Sequence, residues 1–166
     1  MLNADGRRRF FPAGWETSLL FGEEVTPIGS PALMNDARPP LSPDQIAQMR
    51  RLHLQGGGGR WFTWADWTKA HGVEDNPGAR PQAQDLSFGN YQLILQAVMQ
   101  GQGVALGWSP LVDDGLRAGW IVRLTEQRLT SERGYVIAVP ARRNPVGRQF
   151  RAWVLAERDR SQMSNA

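Results

Sequence analysis

The chain has 166 residues, no cysteine, and a net charge of +3 from 19 basic and 16 acidic residues. This length suits one domain or two small lobes, and the hydrophobic share of 41% is that of an ordinary globular protein. The lack of cysteine excludes a disulfide framework and thiol chemistry, and no apolar run approaches the length of a membrane span.

The first part of the chain shows little periodicity. Residues 1–18 are rich in Gly, Arg and Pro, so we expect them to be irregular and not a signal peptide. Two short apolar runs follow in LLFGEEVTPIGSP (19–31), and Pro27 and Pro31 are expected to limit any strand there. The proline-rich stretch 35–43 is predicted to be a loop.

The middle of the chain alternates between strand and helix patterns. A short helix is predicted to end near Met49, and RLHLQ (51–55) has the alternation of a short strand. Four glycines end that strand, and a helix is predicted over 63–70, with Gly72 at its end. The stretch 73–84 carries turn residues throughout, which indicates a loop.

The clearest pattern lies between residues 85 and 119. DLSF (85–88) indicates a strand, and Asn90 is a good N-cap for a helix with apolar residues at helical spacing. VALGW (104–108) then indicates a buried strand. Ser109 is predicted to cap a second helix that has Pro110 at its first position.

The last third continues the alternation. Strands are predicted over WIVRL (120–124) and GYVIAVP (134–140), and a final helix starts near Pro145. We expect the tail from 158 onwards to fray. One face of the final helix carries Val146, Phe150, Trp153 and Val154. Strands and helices that alternate over most of the length indicate an α/β fold.

The residues give little support to catalysis, a metal site or a bound cofactor. Ser109 lacks the flanking glycines of a nucleophile elbow, and its predicted role as a helix cap explains it. His53 and His71 are the two histidines, and no cysteine could complete a metal site with them. The glycine run has no Lys-Ser or Lys-Thr after it, so it is no phosphate loop. We therefore expect a protein that is not an enzyme.

Binding of a small molecule is better supported. Three predicted junctions between a strand and a helix, before Thr63, at Gly89–Asn90 and at Ser109, each combine a glycine, a polar cap and an aromatic residue. Ligands in α/β sheets lie at such junctions, where backbone N–H groups are free to donate. The pattern favours a small polar or anionic ligand flanked by rings.

The tryptophans of RWFTWADW allow two interpretations. Trp61, Trp64 and Trp67 lie within about 120° of arc on one helix, and we predict that Trp64 and Trp67 mainly pack in the core. The segment from Trp61 to Thr63 is equally compatible with packing and with the border of a binding cleft. Trp108 is likewise compatible with packing and with the border of the cleft. For Asn90 the role of a helix cap is favoured over contact with a ligand.

Four blocks of the sequence, in order, resemble the effector-binding domain of LysR-type transcriptional regulators, and especially the branch of glycine-cleavage-type activators. The resemblance runs from Leu19 to Glu157. Its most specific parts are the pattern WxxWxxW over 61–67 and NYQLILQAVMQGQGVALGW over 90–108.

The resemblance implies a periplasmic-binding-protein-like (type II) fold of two α/β lobes, with an effector in the cleft between them. It implies a domain over 19–160, in which 32–125 form a complete second lobe and 161–166 a disordered tail. The first lobe and the crossing strands, 19–31 and 130–160, are expected to be partial, because the family's opening strand and helix have no counterpart here. The family's helix-turn-helix has no counterpart either.

The function implied by the resemblance is that of an effector-sensing domain of a cytoplasmic transcriptional regulator, with no contact to a membrane. The effector is expected to be an amino acid or a small amine, a homo-oligomer is possible, and DNA would be bound only through the missing helix-turn-helix. A stand-alone binding protein or a decayed fragment stays open as the alternative. The residues expected to bind the effector are Trp61, Phe62, Thr63, Asn90, Gly107 and Trp108.

Overall fold

The computed structural model describes residues 11, 13–34, 38–56, 61–73, 85–141 and 144–163. The chain divides into two compact units. The first unit is drawn from Met1–Glu23 and Thr130–Ala166, and the second unit is Glu24–Leu129. The predicted loop 73–84 and the glycine run lie almost wholly outside the described residues.

The described elements alternate as an α/β sequence would. In chain order they are β1 (Trp15–Gly29), a 3-10 turn (Pro31–Leu33), α1 (Pro43–Ala47), β2 (Leu52–Leu54), α2 (Trp64–Ala70), β3 (Leu86–Phe88), α3 (Tyr91–Met99), β4 (Ala105–Ser109), α4 (Asp113–Arg117), β5 (Val122–Arg123), β6 (Leu129–Pro140) and α5 (Pro145–Met163).

The strands of the second unit form two sheets. In the larger sheet β1 lies between β4 and β5 and runs antiparallel to both, so that Val25 is opposite Trp108. In the smaller sheet β2 and β3 are parallel, with Leu52 opposite Leu86. A single parallel bridge, from Arg51 to Val104, connects β2 with the start of β4.

Two apolar clusters stabilise the second unit. One contains Trp64 and Trp67 of α2 together with Val25 of β1. The other contains Ile28 of β1 and Ile94 of α3, among others. Trp67 is 0% exposed and Trp64 is 2% exposed, which confirms the prediction that these two indoles pack in the core.

The helix starts confirm several predictions because each is encoded by local residues. Thr63 caps α2 in a reciprocal capping box with Asp66, and Asn90 caps α3 by accepting a hydrogen bond from the N–H of Gln92 at 2.7 Å. Gly72, with φ of 67°, follows the end of α2 in the left-handed region that glycine favours.

Strand β1 differs from the prediction at both ends. It begins at Trp15, inside the stretch predicted to be irregular, and its pairing partner there is β6. It also continues through Pro27, which was expected to limit it. Pro27 lies where the pairing with β5 ends, and its carbonyl still accepts from the N–H of Leu124 at 2.9 Å, so the missing N–H removes little from the sheet.

The prediction that Ser109 caps the helix after β4 is wrong. Helix α4 begins at Asp113 and its N-cap is Val112, with no side-chain cap. The hydroxyl of Ser109 instead donates to the carboxylate of Asp113, at 3.2 Å from Oδ1. A turn over Pro110 intervenes, closed by the hydrogen bond from the N–H of Asp113 to the carbonyl of Pro110.

Two further elements differ in length from their predictions. Only Val122–Arg123 of the predicted strand 120–124 pairs in a sheet. Helix α5 continues to Met163, so the start of the predicted disordered tail, 161–166, is helical. The hydroxyl of Ser161 donates to the carbonyl of Glu157 at 3.0 Å, which supports this last turn.

The first unit is stabilised by charged side chains. Glu23 of β1 is 4% exposed, and its Oε2 accepts from Arg133 Nε at 2.7 Å and from the hydroxyl of Ser131 at 2.5 Å, both on β6. The guanidinium of Arg151 on α5 donates to the hydroxyl oxygen of Ser18 on β1 at 2.6 Å. None of the described helices is both long and apolar enough to span a membrane.

Candidate functional site

The site begins where β2 and β4 separate. At their start the two strands share two hydrogen bonds of a parallel ladder. The N–H of Val104 donates to the carbonyl of Arg50 at 2.9 Å, and the N–H of Leu52 donates to the carbonyl of Val104 at 2.8 Å. The pairing goes no further than this bridge. Beyond it, β2 pairs with β3 and β4 pairs with β1.

Two side chains donate hydrogen bonds to the backbone carbonyls that would continue the ladder. The carbonyl of Leu52 accepts from the indole Nε1 of Trp64 at 3.1 Å. The carbonyl of Leu106 accepts from the hydroxyl of Tyr91, also at 3.1 Å. Trp64 lies on α2 and Tyr91 on α3, so both helices take part in keeping the strands apart.

A cavity of about 60 Å³ lies in this gap, wholly within the second unit. That volume holds roughly four to six water-sized groups, so it suits a small ligand or one end of a larger one. Its walls are the two separating strands, the segment that leads into α2 and the first turns of α3. The lining residues are Leu52, His53, Leu54, Gly56, Trp61, Phe62, Thr63, Trp64, Tyr91, Ile94, Ala105, Leu106 and Trp108.

Most side chains of the lining are apolar or aromatic, and few are polar. Among the described lining residues there is no Asp, Glu, Lys or Arg. The rings of Tyr91 and Trp108 meet edge to face, with centroids 5.3 Å apart. A pocket of rings with a few polar groups is typical of sites that bind small molecules.

Four of the six predicted effector-binding residues lie together at this cavity, and two do not. Trp61, Phe62, Thr63 and Trp108 are in the lining. Asn90 is exposed at the start of α3, where its side chain caps the helix. Gly107 pairs with Thr26 and is not in the lining, and a Cβ on it would lie 2.8 Å from the side chain of Ile28.

Thr63 has its polar atoms engaged within α2. Its N–H and its hydroxyl both lie 2.7 Å from Asp66 Oδ2, and its oxygen accepts from the N–H of Asp66. Thr63 therefore shapes the rim of the cavity by starting the helix. The rings of Trp61 and Phe62, which are half-buried, provide the contact area on this side.

Sequence reasoning missed His53 and Tyr91. Nε2 of His53 lies 3.1 Å from Asp85 Oδ2, and Oδ1 of the same carboxylate accepts from the N–H of Arg51 at 3.0 Å. His53 is on β2 and Asp85 directly precedes β3, so their pairing depends on the β2–β3 register. The helical spacing of Tyr91 predicted that it packs on the sheet. Nothing in the sequence indicated that its hydroxyl forms hydrogen bonds with two backbone groups of β4.

No metal site emerges from the ionisable side chains. In the described ranges, no three His, Asp or Glu side chains lie close enough together to hold a metal ion. His71 has a structural role instead. Its Nδ1 lies 2.8 Å from the carbonyl of Trp67, and the rings of these two residues have centroids 4.6 Å apart with their planes tilted by 32°.

Comparison with known proteins identifies the family. The family described as "LysR substrate binding domain" matches residues 6–159. The chain belongs to this family. The predicted periplasmic-binding-protein-like α/β fold and the predicted identity as an effector-binding domain of transcriptional regulators are thereby confirmed.

The LysR-family relatives are named as activators. The chain is 31% identical over 98 residues to the AhcY transcriptional activator HvrB of Rhodobacter capsulatus, a match over 58% of this chain and 34% of that protein. It is 26% identical over 147 residues to the glycine cleavage system transcriptional activator of Escherichia coli, over 87% of this chain and 45% of that protein. The chain thus spans less than half of the length of these relatives.

Solved LysR-type effector domains have the same fold. The effector domain of the transcriptional regulator AmpR of Pseudomonas aeruginosa matches with a TM-score of 0.68 and 22% identity, over 93% of this chain and 71% of that chain. The AmpR effector-binding domain of Citrobacter freundii gives a TM-score of 0.67 at 19% identity, over 90% and 70% of the two chains. At these identities the likeness concerns the fold alone.

Proposed function

We propose that this domain binds a small-molecule effector in the cavity between β2 and β4, and that Trp61, Phe62 and Trp108 form its aromatic walls. The observation that carries the proposal is the separation of the two strands, which leaves a ring-lined cavity inside a compact unit. Packing alone would favour a continued ladder, because every inter-strand hydrogen bond that is not made must be compensated.

The effector is proposed to be small, with an amino acid as the first class to test. A cavity of about 60 Å³ can enclose a small molecule, whereas a drug-sized molecule needs several hundred Å³ and could place only one end here. Thr63 and Asn90 contribute by starting the helices that border or approach the site. Gly107 contributes by allowing β1 and β4 to lie close together at Ile28.

The wider role is that of a regulator, not an enzyme. We propose that effector binding here controls a cytoplasmic LysR-type transcription regulator that contacts DNA through a helix-turn-helix domain. Within the described residues no group of three or more His, Asp or Glu side chains could hold a metal ion.

Thermal unfolding of the 166-residue chain with a library of amino acids, small amines and small acids tests the proposal. A ligand that binds only the folded state raises the midpoint as its concentration rises. We expect the shift to disappear in Trp108→Ala and to persist in Trp120→Ala, a matched change at an exposed tryptophan outside the cavity. Shifts that survive Trp108→Ala would place the ligand elsewhere and contradict the proposal.

A further inference from the structure

The interrupted ladder leaves backbone donors at the cavity. In a parallel ladder the carbonyl of Leu52 would accept from the N–H of Leu106, and the carbonyl of Leu106 would accept from the N–H of Leu54. Neither bond forms, because Trp64 and Tyr91 donate to those two carbonyls. The two acceptors are satisfied by side chains, whereas no residue in the described part of the chain accepts from the two donors.

Strand geometry directs both donors into the gap. Leu52 donates toward β4, and Leu54, two residues on, presents its N–H to the same side. On β4, Val104 donates toward β2, so Leu106 presents its N–H toward β2. Leu54 and Leu106 both line the cavity. The site therefore offers two convergent N–H groups whose paired carbonyls are already occupied.

We propose that Leu54 and Leu106 hold a carboxylate of the effector through their backbone N–H groups, an inference that rests on the proposed function of this cavity. A carboxylate has two acceptor oxygens and forms stronger hydrogen bonds with amides than a neutral carbonyl does. No acidic side chain of the described lining would repel it. A purely cationic ligand would face two N–H donors and would have no carboxylate of the described lining to pair with.

The aromatic side chains of the lining limit the remainder of the ligand. The half-buried rings of Trp61, Phe62 and Tyr91 are apolar, and the cavity is small. The ligand class is therefore a small carboxylic acid, and the amino acids of the proposed function are members of this class. Trp64 donates to the carbonyl that would otherwise accept from Leu106. Tyr91 donates to the carbonyl that would otherwise accept from Leu54. These two side chains therefore leave both N–H groups to the ligand.

Amide-detected NMR of the full 166-residue chain tests the inference with matched pairs of probes. The probes are acetate and acetamide, glycine and glycinamide, and benzoate and benzamide. We expect carboxylates to shift the N–H signals of Leu54 and Leu106 downfield in a saturable manner, and the amides to bind at least about tenfold more weakly, because hydrogen bonds to charged groups are the stronger ones. The N–H of Leu52, already bonded to Val104, serves as the internal control.

A pair of variants removes one donor alone. Leu54→Pro deletes the N–H that faces the cavity, whereas the bond from Gln55 to Phe88 that holds β2 to β3 is kept. Leu54→Ala shortens the same side chain and retains the N–H. Carboxylate affinity should fall about tenfold or more in the proline variant relative to the alanine variant. If Leu54→Pro does not fold, the wild-type comparison of acids with amides decides.

Three outcomes overturn the inference: equal binding of acid and amide, carboxylate binding that leaves Leu54 and Leu106 unshifted, or no binding of any of the three acids. None of these removes the proposed function, which fails only when no ligand of any chemistry shows dependence on Trp108. The two failures are therefore distinguishable.

Discussion

The hydroxyl of Tyr91 donates to the carbonyl of Leu106 at 3.1 Å and accepts from the N–H of Trp108 at 3.2 Å. One side chain of α3 thus takes the place of a neighbouring strand along the edge of β4. Its ring also meets that of Trp108 edge to face. The hydroxyl and the ring of Tyr91 therefore both contribute to the position of this wall of the cavity.

Removal of that hydroxyl should destabilise the domain. We expect Tyr91→Phe to lower the free energy of unfolding by about 1–2 kcal/mol, because two backbone groups of β4 lose their partner. Urea unfolding measures the change, and Gln92→Ala, at an exposed position on the same helix, is the control. A Tyr91→Phe protein as stable as the wild type would show that the hydroxyl has no structural role.

The tryptophans of the 61–67 segment should separate into two groups. Trp67→Ala leaves a large cavity at a site that is 0% exposed, and we expect a loss of about 3–5 kcal/mol. Trp61 precedes α2 and is half-buried at the cavity, so Trp61→Ala should cost less than about 1.5 kcal/mol and weaken ligand binding instead. Equal losses of stability in the two variants, measured by urea unfolding, would contradict this division.

The sequence predicted what local residues encode. Thr63 and Asn90 were identified as helix starts because a cap and its first turn are neighbours in the chain. The gap between β2 and β4 could not be predicted, since it depends on Trp64 reaching Leu52 and on Tyr91 reaching β4. Whether a polar group on a packing residue faces a strand carbonyl is decided by tertiary structure.

The same distinction explains the errors. Ser109 followed by Pro110 has the composition of a helix start, but the end of β4 and the turn after it place the helix at Asp113. Pro27 predicts the end of a strand, but in this sheet the pairing of β1 with β5 stops at the residue after it. In each case the neighbouring strand determines the outcome, and its position is not visible in the local sequence.

Two adjacent glutamates of β1 should differ sharply in their contribution to stability. Glu23 is 4% exposed and bonded to Arg133 at 2.7 Å, so Glu23→Gln removes a buried negative charge that faces a largely buried guanidinium. We expect a loss of about 2–3 kcal/mol. Glu24 pairs with Arg128 at 2.8 Å near solvent, and Glu24→Gln should cost less than about 1 kcal/mol. Urea unfolding compares the two, and equal costs would contradict the role of burial.

Tyr135 should make the stability fall at high pH. Burial, and secondarily the charge of Glu23, raise the pKa of its phenol above the ordinary 10.0. The folded protein therefore holds this proton more tightly than the unfolded chain, so the contribution is complete below pH 10.0 and is lost as the pH rises through the folded-state pKa.

Tyr135→Phe isolates that contribution. Between about pH 8 and about pH 11, the wild type should lose more stability than Tyr135→Phe, because only the wild type ionises there at this site. Tyr91→Phe, which keeps Tyr135, should retain the wild-type dependence. Urea midpoints at the two pH values measure it, and identical losses in wild type and Tyr135→Phe would show that Tyr135 titrates normally.

Helix α5 presents an apolar stripe to solvent. Val146, Phe150 and Trp153 are 72%, 55% and 56% exposed. They are spaced i, i+4, i+7, so they lie on one face, and the rings of Phe150 and Trp153 lie 5.9 Å apart. Exposed apolar residues are ordinary when scattered singly, whereas a contiguous patch of a few hundred Å² marks an interaction surface.

We expect this stripe to drive association of the chain with a second copy. Sedimentation velocity over a range of concentrations should show a dimer or larger species, and Phe150→Ser combined with Trp153→Ser should shift it to monomer because the double change removes both exposed rings. Leu111→Ser, at an exposed leucine of the second unit, controls for the loss of surface apolar area and should leave association unchanged. A wild-type protein that stays monomeric at every concentration would show that the stripe is tolerated in water, and a double variant that associates as the wild type does would place the interface elsewhere.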